Sequence, residues 1–88
     1  MILQIVSIID RAAETFGRPF FVPSLGLAAR SFSDEVNRVA EDNQLYNHPE
    51  DFDLYHLGSF NDSSAEFAVL DVPVLVERGK TVSTKTNI

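Results

Sequence analysis

Residues 24–40, SLGLAARSFSDEVNRVA, decide how the rest of the chain must be arranged. Leu25, Ala28, Ala29, Phe32, Val36, Val39 and Ala40 recur at three- and four-residue spacing. They form one apolar stripe, the mark of a helix lying on a core. Ser24 is a good N-cap. Arg30, Asp34 and Arg38 stand four apart on another stripe, where alternating charges pair. Gly26 weakens the first turn, so residues 26–30 could instead be a strand, with a helix starting behind a Ser31–Asp34 capping box. The continuous stripe favours one helix over residues 24–40.

Upstream, residues 2–9 (ILQIVSII) are apolar on both alternating faces and read as a central strand covered on both sides. Asp10 is placed to cap a short helical turn through Ala12, Ala13 and Phe16, stopped by Gly17. Pro19 and Pro23 keep the segment Arg18–Pro23 extended. Phe20 and Phe21 then point to opposite sides, one toward the core and one outward.

Downstream, residues 41–50 (EDNQLYNHPE) read as a polar loop. Residues 52–60 (FDLYHLGSF) alternate as a strand, with Phe52, Leu54, His56 and Phe60 on one side. Asp53, Tyr55, Leu57 and Ser59 take the other. Residues 61–65 make a hairpin loop and residues 66–77 return as a strand or strands. Pro73 there implies an edge position or a bulge. Residues 79–88 (GKTVSTKTNI) are polar and read as a mobile tail after a domain of residues 1–78. The expected fold is α+β: a small antiparallel or mixed sheet of three to four strands with one main helix.

A chain of 88 residues forms one thin-cored domain. Such domains gain stability by association, so a homo-oligomer is expected. The absence of cysteine removes disulfides and thiolate metal sites. No apolar run reaches membrane-span length, and no basic segment precedes the apolar start, so neither a membrane partner nor a secretory leader is expected.

The net charge of −6 is unevenly spread. Residues 1–40 carry four arginines and four acids; residues 41–77 carry nine acids and no Lys or Arg. Arg78, Lys80 and Lys85 follow. A uniformly basic nucleic-acid coat is excluded, but a local arginine face is not.

Catalytic signals are weak: there is no Gly-x-Ser-x-Gly elbow, and His48 and His56 lack a triad setting. No phosphate-cradling glycine loop occurs. His48, Glu50, Asp51, Asp53 and His56 lie close in sequence, but their spacing matches no common zinc or calcium pattern. A turn before a strand accounts for them, so no metal or cofactor is expected. Arg11, Arg18, Arg30 and Arg38, with Phe16, Phe20 and Phe21 close to Arg18, have the cation-and-aromatic composition of single-strand binders. On the residues alone, core phenylalanines and helix-surface ion pairs are the preferred explanation. The acidic segment could contact a basic protein or keep nucleic acid to one side of the domain, but a solvated face is the commoner case.

Larger runs go further. VSIIDRAAETFGRPFF, GLAARSFSDEVN and HPEDFDLYHLGSFND together resemble the small non-structural protein of gokushoviruses, single-stranded DNA phages of the Microviridae. The resemblance spans about residues 3–62 and rests on Asp10, Pro19-Phe20-Phe21, Ala28-Ala29-Arg30-Ser31-Phe32 and the run from His48 to Gly58. Phe52 stands where the family often has tyrosine, and Ser63-Ser64-Ala65 replaces a hairpin that often holds glycine. The resemblance implies a non-enzymatic role in genome replication, or in the switch to single-strand synthesis and packaging, in the host cytoplasm. It implies single-stranded DNA as partner. Arg11, Arg18, Arg30, Arg38, Arg78, Lys80 and Lys85 would then contact phosphates, and Phe20, Phe21 and Tyr55 would stack on bases. The alternative is an acidic adaptor that binds the phage replication initiator or host replication proteins and not DNA.

Overall fold

The computed structural model describes residues 1–85. Strand β1 (Ile2–Asp10) turns into β2 (Thr15–Phe16) and β3 (Phe20–Val22), followed by α1 (Leu25–Val36) and the short α2 (Gln44–Asn47). A 3₁₀ turn (Pro49–Asp51) leads to β4 (Phe52–Asn61), β5 (Glu66–Arg78) and a last helical turn, α3 (Gly79–Val82). The fold is α+β, as expected.

The sheet is antiparallel throughout, in the order β2-β1-β4-β5, with β3 also paired to β1. It therefore has five strands. β1 is central, as its two-sided hydrophobicity requires: Ile5, Val6 and Ser7 are consecutive and all buried. The molecule is long, 50 × 23 × 20 Å. The cause is the β4–β5 hairpin, whose longer strand alone can span about 40 Å.

The core lies between α1 and one face of the sheet. Val6, Ala28, Phe32, Val36 and Leu54 are its buried members, flanked by Ile8, Val22, Leu25, Leu45, Val76 and Val82. Ser24 caps α1 as its sequence implies, its Oγ accepting from Leu27 N–H at 3.2 Å.

The helix ends at Val36 and not at residue 40. Asn37 and Arg38 N–H donate to Ser33 O and Glu35 O at the end of its last turn, and asparagine side chains add further bonds there. Asn37 Nδ2 donates to Ser33 O and Val82 O, each at 2.9 Å. Asn43 Nδ2 donates to Glu35 O at 2.8 Å and Arg38 O at 2.9 Å. Val39, the next position of the stripe, lies outside the helix and is 76% exposed.

Three further expectations are corrected. Asp10 organises a hairpin turn, not a helical one: its Oδ1 accepts from Ala12 and Ala13 N–H, and Glu14 takes a left-handed φ of 57° before β2. The segment 41–50 contains α2, capped by Asn43, and the 3₁₀ turn. The region beyond Arg78 is docked for at least its first residues. Asn37 Oδ1 accepts from Thr84 N–H and Oγ1–H, and Val82 reaches the core. Gly79 is buried so tightly that a Cβ would collide with the carbonyls of Pro49 and Phe52. Residues 86–88, the end of the expected tail, lie outside the described residues.

Pro73 sits on an edge strand, as its chemistry demands. The β4–β5 register passes from His56↔Val74 to Gly58↔Val69, two steps along β4 against five along β5.

Candidate nucleic-acid interface

One register shift decides which side chains meet. β1 pairs Ile5 with Gly58 but Val6 with His56, so Leu57 is an extra, bulged residue. A bulge exchanges the faces of every residue beyond it. Strict alternation places Phe60 with Leu54; the bulge places it with Tyr55.

Directly paired residues share a face, as do alternate residues of one strand. The pairs Ile9–Asp53, Ile9–Phe16, Ser7–Tyr55, Ile5–Phe21, Leu3–Phe60 and Phe60–Phe67 therefore line one side of the sheet, opposite α1. From Ile9 to Leu3 this row runs about 20 Å.

At one end Asp53 is 1% exposed. Its Oδ2 meets Arg78 Nη1 at 3.2 Å and Arg11 Nε at 3.6 Å. Its Oδ1 has no hydrogen-bond partner among the described residues. A buried carboxylate is costly unless compensated, and here two guanidiniums compensate it. Arg11 also donates from Nη2 to Glu50 O, and its N–H donates to Asp51 O at 2.8 Å. The two arginines are thus anchored at one edge and remain 44% and 39% exposed at the other. Two cations share one buried anion, with Asp10, Glu50, Asp51 and Glu77 close by.

Along the row the rings form two edge-to-face groups. Phe16 and Tyr55 lie 5.6 Å apart at 77°. Phe21 contacts Phe60 at 5.5 Å and Phe67 at 6.4 Å, and Phe60–Phe67 is 4.8 Å. Phe16, Phe21 and Phe67 remain 41%, 49% and 61% exposed. The face can offer π-surfaces and guanidinium N–H groups together to one extended ligand.

A family model described as Phage ORF5 protein matches residues 3–82. The chain belongs to that family of phage proteins. No curated protein and no solved structure matches it significantly.

In this ORF5-family chain the other expected contact residues are spread out. Phe20 is paired with Val6 and so lies on the α1 side of the sheet, 40% exposed. Arg30 is exposed on α1, Arg18 on the β2–β3 connection and Lys80 on α3; none has an ion-pair partner among the described residues. Arg38 grips Glu35, Nη2 to Oε1 at 2.7 Å, and not Asp34. Hydrogen bonding by Arg38 holds the Glu35 carboxyl below its ordinary value and raises Arg38 above its own. Lys85 Nζ donates to Tyr46 O at 2.6 Å and Asn47 O at 3.1 Å, closing the end of α2, and stands 4.7 Å from the centre of the Tyr46 ring.

The histidine–acid run also separates. His48, Glu50 and Asp51 stay together, their ligand atoms within 4.8 Å, beside a shallow cavity of about 230 Å³. Asp53 belongs to the arginines. His56 Nε2 bonds Gln4 Oε1 at 2.8 Å and Gly58 O at 2.9 Å. Phe60 and Phe67 are the members of the face that sequence reasoning missed, because the bulge reverses one and nothing local orients the other.

Proposed function

We propose that this protein binds single-stranded DNA without catalysing a reaction, and assists genome replication, or the switch to single-strand synthesis and packaging, in a phage of the Microviridae. The observation that carries this reading is the single open sheet face on which Arg11 and Arg78 stand in line with the Phe16–Tyr55 and Phe21–Phe60–Phe67 groups. Single-strand binders combine a cationic track with rings on which successive bases stack. A row of about 20 Å suits roughly four nucleotides, the short end of known site sizes. Arg18 and Lys80, exposed and unpaired among the described residues, are the further cations available to phosphates.

Fluorescence anisotropy with a labelled oligodeoxythymidine tests the reading. With two to three phosphate contacts, affinity falls about 7- to 20-fold between 50 and 200 mM salt. Absence of binding at 50 mM salt, or binding indifferent to salt, overturns it and favours the acidic adaptor for replication proteins.

A further inference from the structure

We propose that two copies of this chain associate antiparallel across their free β5 edges, with Val72 at the two-fold axis. This inference does not depend on the DNA reading. Among the described residues, β5 hydrogen-bonds to β4 on one side only, and residues 70–73 have no register partner on β4 either. Along it, Phe67, Val69, Leu70, Val72, Val74 and Leu75 are between 36% and 74% exposed. Natural edge strands are usually short, charged or covered, because an apolar edge invites pairing.

The occupant follows from area, symmetry and charge. Those six side chains expose on the order of 500 Å² of apolar surface. A standard interface covers about 800 Å² on each partner, and homodimer interfaces are roughly 65% apolar. The exposed strip supplies part of that apolar half-interface: Phe67, Val69 and Leu75 flank the edge on one face of the sheet and Val74 on the other. β5 has 13 residues, so antiparallel pairing with its own copy over the full length is centred on Val72. That register sets Glu66 against Arg78 of the partner subunit at both ends, opposite charges facing. A two-fold contact also closes on itself and does not propagate into a fibre. Pro73 lacks an N–H and interrupts the ladder near the axis, so side-chain burial carries most of the contact. Asp71 lies diagonal to its own copy, a like-charge pair that keeps the association reversible.

Sedimentation equilibrium on nucleic-acid-free, full-length protein at up to 100 µM tests this. The expected mass is twice 9.8 kDa. Val72→Lys is expected to return it to one chain with an unchanged circular dichroism spectrum. Asp71→Asn is expected to tighten the dimer about two- to fivefold. The chain has no cysteine, so Val72→Cys provides a second measurement that does not rely on disrupting the contact. Opposed residues lie about 4.5–5.5 Å apart, within disulfide range, and oxidation should give a covalent dimer. Val39→Cys, equally exposed but off β5, should not. A single-chain mass at 100 µM, assemblies larger than two, a dimer that survives Val72→Lys, or equal cross-linking at positions 39 and 72 overturns the proposal.

Discussion

The two faces of the sheet are built from alternate residues of the same strands, yet they have opposite characters. The face under α1 uses Val6, Ile8 and Leu54 and is closed by Ala28, Phe32 and Val36. Among the described residues, no helix lies over the other face. It carries a buried carboxylate held by two arginines and a row of half-exposed rings. Burial on the first face is a matter of volume, and its energy scales with apolar area. Burial on the second is local: Ile5, Ser7, Gly58 and Asp53 are its buried members, and Ser7 Oγ donates to Gly17 O at 2.7 Å. A domain this small can seal only one face, and the open one is where recognition can occur.

Substitutions separate the two. Phe32→Ala removes the most buried ring of the sealed face, 3% exposed, and should cost about 3–5 kcal/mol in urea unfolding. That is a large part of the roughly 4–13 kcal/mol expected for a domain of this size. Asp53→Asn tests the buried carboxylate of the open face. It removes the anion but leaves two arginines that can turn to water, so a loss of about 2–3 kcal/mol is expected. A loss as large as that of Phe32→Ala would erase the proposed difference between the faces.

Phe67→Ala should separate stability from binding. Its ring is 61% exposed, so unfolding should change by no more than about 1 kcal/mol. Oligonucleotide affinity should fall by the worth of one stacked base, about 1–3 kcal/mol. Anisotropy unchanged by this variant would remove the ring row from the interface.

The smallest effect belongs to Glu35, next to the sealed face but exposed. Arg38 lowers its folded-state pKa below the unfolded value near 4.5. Its contribution is therefore fully present above that value and is lost as pH falls through the lower, folded-state pKa. Comparing the acid unfolding of wild type and Glu35→Gln should show a slight difference near neutrality that vanishes at low pH; solvent screening keeps it small.

Local chemistry explains which parts were legible. Two-sided hydrophobicity in residues 2–9 marked the central strand, Ser24 marked the helix start, and alternation with a turn-rich break marked the β4–β5 hairpin. The helix end was not legible, because Asn43 reaches Glu35 O and Arg38 O, and Asn37 reaches Val82 O, only once the chain has folded back. Polar residues 79–85 looked like a tail because their partners are Pro49, Phe52, Asn37 and Tyr46, remote in sequence. Of the candidate site, Arg11, Arg78, Phe21 and Tyr55 were legible as residue types but not as neighbours.

By itself, then, the sequence determined the element types and the α+β class, because hydrophobic period, caps and turn residues act over a few neighbouring positions. It also determined that no uniformly basic surface can exist. Only the tertiary structure decided which side chains share a face. One bulged residue, Leu57, moves Phe60 across the sheet, and the pairing of Asp53 with Arg11 and Arg78 joins residues 42 and 25 positions apart. Such register and long-range ion pairing are settled by packing the whole sheet at once.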